Sequence, residues 1–446
     1  MKQASKKMSY TQLVALGFFL IIAVGTLLLM LPIASNGTPP GFTDAFFTAT
    51  SATCVTGLVV YDTFTQWTVF GQIVILTMIQ IGGLGFMTIM SLFSFLFGKR
   101  IGLRSRELLK ESVNTLQLGG IVKLIKKVLI GTVIVEGAGA VILSWRFIPV
   151  FGWGRGIYYG VFHSVSAFCN AGFDLIGVLE PYSSFAYFYD DSIIMFTLSA
   201  LILIGGIGFF IWDDVTKNRW HFGRYKLHSK IAIIVTAGLT LFGTLAIYLF
   251  ERENTLAGMN AWDKFAVSLF SSVTPRTAGF NVLDTAALSD GSKFITMLLM
   301  AIGGSPGSTA GGIKTTTIAA LFITAWSSVR HTRSDNVYGR RLDESAIKRA
   351  AAVMSLYLVL VIVGAVTLCA TSGELALTDV MFETISAAST VGISTGITRA
   401  LTPVARWAII LLMYCGRVGS VSFLTLFTEK KSPAPVVLPK EEISIG

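Results

Sequence analysis

A short glycine phrase occurs four times in this 446-residue chain. It reads Cys54, Val55, Thr56, Gly57, then Cys169, Asn170, Ala171, Gly172, then Arg276, Thr277, Ala278, Gly279, and last Ser389, Thr390, Val391, Gly392. The fourth-place glycines follow one another at intervals of 115, 107 and 113 residues. Glycine allows backbone conformations that turn carbonyls towards an axis. A ring of carbonyls can replace the hydration shell of a monovalent cation, and this is how an ion selectivity filter is built. No Asp or Glu lies inside the phrases, so the carboxylate ring of a divalent-selective or simple cation pore is not indicated. One such phrase alone reads as a tight turn between helices. Four at matched spacing read as four loops around one axis, with a cation held at the carbonyls of Gly57, Gly172, Gly279 and Gly392.

The elements that must carry these loops follow from hydropathy. Long apolar spans precede them at Leu13–Ile33, Val128–Phe147, Ile231–Phe250 and Ala350–Ala370. Others follow them at Phe70–Phe97, Ile193–Trp212, Phe294–Trp326 and Trp407–Phe427. Between lie short half-hydrophobic segments, Thr43–Thr53, Tyr158–Phe168, Asp263–Thr274 and Leu377–Ala388. At 1.5 Å per residue each makes roughly 16 Å of helix, about half of a 30 Å hydrocarbon core. Such helices enter the membrane and stop midway, where irregular backbone is tolerated only against protein or water. Their C-terminal ends would bring about half a negative charge each to one central region, which favours a cation. The expected fold is an all-α polytopic membrane protein of four tandem helix–pore loop–helix repeats, with eight transmembrane helices and four re-entrant half-helices around a pseudo-four-fold pore. The repeats span 11–98, 123–213, 227–328 and 346–428, and 429–446 forms a cytoplasmic tail.

A second phrase follows each loop: IGGLG at Ile81–Gly85, IGGIG at Ile204–Gly208, IGGSPG at Ile302–Gly307 and CGRVG at Cys415–Gly419. In the third unit it opens into GGSPGSTAGG, which contains Gly303, Gly304, Ser305, Pro306, Gly307, Ser308, Thr309, Gly311 and Gly312. Glycine costs about 1 kcal/mol and proline about 3 kcal/mol against alanine in a helix interior, so this span should break just cytoplasmic of the loops and obstruct the pore there. The alternative is a packing kink. Arg417 lies near the centre of the last span, where insertion costs roughly 2.5–3.5 kcal/mol. It is expected to face the cavity below the loops and oppose conduction; a clamp satisfied by backbone carbonyls is the alternative. Lys314 reads equally as a second such charge or a snorkelling side chain. Glu136 is expected to pair with a basic residue, His163 to pack or hydrogen-bond, and Arg276 to brace the third loop.

Hydrophobic residues make up 53% and charged residues 13% of the chain, against about 25% charged in soluble domains. Of its 35 lysines and arginines, 25 fall in the N-terminus, Lys99–Lys127, Lys217–Lys230, Arg330–Arg349 and the tail. All of these lie on one side of the expected topology, which makes the termini cytoplasmic. The net charge of +10 is therefore a topology signal rather than a nucleic-acid footprint. The first apolar run lacks a cleavage site and reads as a retained helix. Four scattered cysteines and four scattered histidines support neither a disulfide framework nor a zinc site. No HExxH or G-x-S-x-G appears, so no enzyme is indicated. A secondary transporter with a midplane broken-helix site is the competing class, but such folds usually show two inverted halves, whereas these four units share one orientation.

The four span–loop–span units resemble the ion-conducting subunit of the Trk/Ktr/HKT superfamily of potassium transporters. Trk-type members carry an additional N-terminal helix pair. Here the first unit starts at once, which makes the chain most similar to the Ktr type of bacteria. The resemblance places the filter glycines at Gly57, Gly172, Gly279 and Gly392. All four being glycine implies potassium, where some plant relatives with a serine favour sodium; sodium stays open as a second or required ion. The varied first residues, Cys54, Cys169, Arg276 and Ser389, imply a filter that is not four-fold identical. The resemblance also implies a gating role for the Gly303–Gly312 segment, an arginine at the place of Arg417, a homodimer in the plasma membrane and a cytoplasmic ring of nucleotide-binding RCK-type subunits. Any nucleotide would then act only through that partner.

Overall fold

The computed structural model describes residues 10–85, 88, 121–219, 221–331, 336–373 and 375–419. Its main helices in chain order are α1 (Tyr10–Leu29), α2 (Phe42–Thr53), α3 (Val69–Leu84), α4 (Ile121–Phe151), α5 (Trp153–Phe168), α6 (Ser192–Gly206) and α7 (Phe209–Asn218). They continue as α8 (Leu227–Glu251), α9 (Ala261–Val273), α10 (Asp290–Ala301), α11 (Thr315–Val329), α12 (Glu344–Thr371), α13 (Leu377–Ala388) and α14 (Pro403–Val418). A two-residue hairpin pairs Asn336 with Arg341 and Val337 with Arg340. The N-terminal lysines, the basic segment from Lys99 to residue 120, the second spans beyond residues 88 and 419, and the tail 429–446 lie outside the described residues.

Among the described residues four helices are long and apolar enough to cross a membrane: Gln12–Leu29, Val122–Phe151, Leu227–Glu251 and Glu344–Thr371. They present large apolar side chains outward, among them Leu27, Val133, Val141, Leu241 and Val366. Contiguous exposure of this kind is rare in soluble monomers and matches a lipid surroundings. The inner layer is the reverse. The helices α2, α5, α9 and α13 are rich in buried Ser, Thr and Ala, with Phe47, Phe162, Phe168, Phe270 and Phe382 fully buried between them. Each first helix lies on the half-helix that follows it: α1 on α2, α4 on α5, α8 on α9, α12 on α13. The helices after the loops pack onward to the next half-helix: α3 on α5, α6 on α9, α10 on α13, and α14 back onto α2. This order closes a ring.

The segments after the loops depart from the expected straight spans. The segment read as one span over Ile193–Trp212 is bent by 95° between α6 and α7. The cause is Gly208, the last glycine of its phrase, whose φ of 105° lies outside helical space. Gly85 and Gly419 hold the same place in the first and fourth phrases, and Gly307 closes the third one residue later; their φ values are 83°, 96° and 69°. The half-helix α5 starts at Trp153, five residues earlier than the expected Tyr158, because Gly152 with a φ of 80° interrupts the chain after α4 and lets it turn back.

The inner glycines of the second phrases have a packing reason. Gly82, Gly205 and Gly416 each lie against a carbonyl at the end of their own half-helix, Thr53, Phe168 and Ala388 respectively, and a β-carbon at any of them would overlap that oxygen. Gly205→Ala is expected to destabilise the protein by about 1–3 kcal/mol through overpacking against rigid backbone. Gly137→Ala, in the interior of α4 with nothing within 4 Å of an added β-carbon, should be neutral or stabilising by about 0.5–1 kcal/mol. Thermal unfolding of the two purified variants checks this; equal melting points would sink the packing account.

Candidate ion pathway

Each half-helix ends in the same backbone figure. The second residue of each phrase is left-handed, with φ of 57° at Val55, 60° at Asn170, 75° at Thr277 and 53° at Thr390. The fourth residue is also at positive φ, 95° at Gly57, 69° at Gly172, 91° at Gly279 and 93° at Gly392, while the residue between is not. Alternating hand along a chain turns successive carbonyls to one side, where a strand would alternate them. A left-handed β-branched residue such as Val55, Thr277 or Thr390 costs on the order of 1–2 kcal/mol. Such strain persists only where its surroundings over-determine it, and it concentrates at functional sites.

The surroundings here are hydrogen bonds from the half-helix. The amides of Thr56, Ala171 and Val391 donate to the carbonyls of Ser51, Ser166 and Ser386 at 2.8 Å, and Ala278 N donates to Thr274 O at 2.9 Å. The same four hydroxyl residues bind again through their side chains. Gly57 N donates to Ser51 Oγ and Gly392 N to Ser386 Oγ, both at 3.1 Å. Ser166 Oγ donates to Phe173 O and Thr274 Oγ1 to Phe280 O, both at 2.7 Å. Sequence reasoning missed these braces. The available signal was a hydroxyl residue five or six positions before every phrase glycine.

The four loops meet. A β-carbon built on Gly57 would stand 2.5 Å from Ala171 O, one on Gly172 2.6 Å from Ala278 O, and one on Gly279 2.5 Å from Val391 O. One on Gly392 would overlap Thr56 O and lie 2.8 Å from the Gly57 α-carbon, which returns the circuit to its start. Asn170 Nδ2 and Thr277 Oγ1, on adjacent loops, lie 3.2 Å apart.

The Gly303–Gly312 segment is non-helical, as its composition predicts, and it lies against the third and fourth loops and the end of α5. Its ends close on each other through Gly303 N to Ile313 O at 2.9 Å and Thr315 N to Gly304 O at 3.1 Å. It docks on the bend between α6 and α7: Ser305 N donates to Gly206 O at 2.9 Å and Phe209 N to Gly307 O at 2.7 Å. Thr309 Oγ1 donates to Phe168 O at 3.1 Å. A β-carbon on Gly303 would lie 3.2 Å from the Thr277 methyl, and one on Gly311 would overlap Thr390 Oγ1. Ser308 Oγ folds back onto Ser305 O at 2.7 Å. Pro306, between Ser305 and Gly307, supplies no amide donor to this network.

Arg417 does not stand free in a cavity. Its guanidinium donates to Thr309 O on the intramembrane loop and to Gly82 O and Gly83 O on α3, the last at 3.1 Å. The carbonyl-clamp alternative therefore describes its geometry, and the reason is local: α3 ends at Leu84, where the regular helical ladder stops and Gly82 O takes the Gly85 amide at 3.3 Å. Lys314 likewise turns onto the loop, donating to Ala310 O at 2.6 Å and Gly311 O at 3.1 Å. Glu136 has no basic partner among the described residues, contrary to expectation; it accepts from Gln80 Nε2 at 3.2 Å and lies 3.9 Å from Cys169 Sγ. His163 accepts the Leu175 amide at 3.0 Å and packs between Phe147 and Phe185. Arg276 points back to α8 and donates to Thr236 O at 3.3 Å and Thr236 Oγ1 at 3.2 Å, which ties the third loop to that helix.

Residues 3–436 match the family TrkH, described as a cation transport protein. The chain is 40% identical over 455 residues to the potassium/sodium uptake protein NtpJ of Enterococcus hirae, covering 100% of this chain and 99% of that one. It is 40% identical over 437 residues to the Ktr system potassium uptake protein B of Bacillus subtilis, covering 98% and 96%. In fold it is similar to the crystal structure of the potassium transporter TrkH from Vibrio parahaemolyticus, with a TM-score of 0.76 over 96% of this chain and 87% of that one, at 19% identity.

Proposed function

The chain belongs to the TrkH family of cation transport proteins, and on that premise we propose that it takes up potassium across the plasma membrane through the ring of glycine loops. It is a membrane cation transporter and not an enzyme. The observation that carries the reading is the closed circuit of Gly57, Gly172, Gly279 and Gly392, each seated on a carbonyl of the next loop. In this reading potassium exchanges its water shell for carbonyls of Cys54 to Gly57, Cys169 to Gly172, Thr277 to Gly279 and Thr390 to Gly392. The C-terminal ends of α2, α5, α9 and α13 add negative potential there. Eight crossings, formed by the four long helices and the four bent or broken segments that follow the loops, surround this pore. The membrane potential drives entry.

The Gly303–Gly312 loop, held by Arg417, acts as the gate below the ring. Two similar relatives are named for potassium uptake and one of them also for sodium, so sodium enters as a second transported or activating ion. The termini are cytoplasmic, the chain works as a homodimer, and an RCK-type nucleotide-binding ring on the cytoplasmic side governs the gate. The basic segments Lys99–Lys127 and Arg330–Arg349 are its docking surfaces.

The test is rubidium uptake and growth at low potassium in a bacterium stripped of its own potassium uptake systems, with this chain alone and with a partner ring. Rescue in either arrangement is expected. Failure in both, at good membrane expression, would sink the potassium reading and bring forward a transporter for another solute.

A further inference from the structure

Nine residues before each phrase glycine stand Thr48, His163, Phe270 and Glu383, in the middle of α2, α5, α9 and α13. Glu383 is the one ionisable carboxyl among them, and it is fully buried. It makes no ion pair among the described residues. Both its oxygens instead take hydroxyls from the segment that leaves the fourth loop. Ser394 Oγ donates to Oε2 at 2.7 Å and the Thr398 hydroxyl donates to Oε1. Ser394 Oγ in turn accepts the Gly396 amide at 2.9 Å, and Thr398 Oγ1 lies 3.0 Å from it. One side chain thus gathers Ser394, Gly396 and Thr398 into a compact turn that starts two residues after Gly392. His163 makes the counterpart contact in the second unit through a single bond to the Leu175 amide. Thr48 bonds only to its own helix at Asp44 O, and Phe270 has no polar atom.

We propose that Glu383 is a positioning residue for potassium recognition: it fixes the outer end of the fourth loop, and through it the Gly392 carbonyl, at the spacing that suits potassium over sodium. The inference rests on the reading of the glycine ring as a cation site. Its physical basis is the high cost of burying a carboxyl without partners and the strength of hydrogen bonds to it. A group that costs this much to bury holds its hydroxyl partners tightly. Because it sits beside only one of four loops, its loss should spoil the size match of the ring without removing the ring.

The experiment is thermal unfolding of the purified chain titrated with potassium, sodium or choline chloride. The wild type is expected to gain melting temperature with potassium at lower concentration than with sodium. Glu383→Gln keeps the shape and one acceptor but reverses the polarity of the other contact. It is expected to raise the half-saturating potassium concentration roughly tenfold while moving that for sodium little. Its melting point in choline reports the purely structural cost separately. Should Glu383→Gln not assemble, Ser394→Ala removes one hydroxyl from the loop side and should move the same ratio in the same direction. An unchanged potassium-to-sodium ratio in an assembled variant, with a wild-type response present, overturns the role of Glu383 alone. No potassium response in the wild type overturns the cation ring and this inference together.

Discussion

Shortening the Ser305–Gly311 stretch is expected to raise rubidium uptake at least several-fold at equal expression. The loop lies against Thr277 and Thr390 of the glycine ring and against Phe168 at the end of α5. In the proposed reading an ion leaving the ring must displace it. Each 1.36 kcal/mol removed from that barrier is worth tenfold in rate, and the bonds that hold the loop are few and individually modest, roughly 0.5–1.5 kcal/mol net each. Arg417→Ala should act in the same direction but less, because it frees Thr309 O while the contacts to Gly205, Gly206 and Phe209 persist. The pair of variants separates two roles of Arg417. Raised uptake from a well-expressed Arg417→Ala protein supports a latch. An Arg417→Ala protein that does not assemble supports a purely architectural clamp between α3 and the loop. Unchanged uptake in the shortened variant would remove the loop from the conduction path.

The loop, the neighbouring bend and Arg417 show how far a sequence alone carries. The half-helices were legible because each is a short half-hydrophobic segment that stops just before a glycine phrase. Their C-terminal ends at Thr53, Phe168, Val273 and Ala388 fall within one residue of the expected ones. The break at Gly303–Gly312 was legible because five glycines and a proline in ten residues overwhelm helix propensity. The 95° bend after Gly206 was not. IGGIG looks like an ordinary apolar stretch, and its third glycine bends the chain because the Gly307 carbonyl of another unit offers Phe209 N a partner. The direction of Arg417 was equally hidden. A central arginine must find acceptors, but whether they are water in a cavity or the frayed carbonyls of α3 depends on where α3 stops, and that is set by Gly85. Glu136 shows the same limit: among the described residues no basic side chain pairs with it, and a neutral Gln80 donates to it instead.

Gly392→Ser is expected to cut the preference for potassium over sodium by about an order of magnitude, and the damage should appear in two loops at once. At a φ of 93° serine is strained by on the order of 1–2 kcal/mol. Its β-carbon would also overlap Thr56 O and approach the Gly57 α-carbon to 2.8 Å. No rotamer relieves that contact, since the partner is backbone, so the first loop must move. The ring runs in one direction, and the effect of each substitution is therefore directional as well: Gly57→Ser should displace Ala171 in the second loop, and Gly279→Ser should displace Val391 in the fourth. Carbonyls that shift by a few tenths of an ångström no longer match one ion size, and a loss of about 1.4 kcal/mol of differential binding is a tenfold loss of preference. Competitive uptake of labelled rubidium and sodium measures it. A Gly392→Ser protein that reaches the membrane at wild-type level and keeps the wild-type ratio would count against ions passing between these loops.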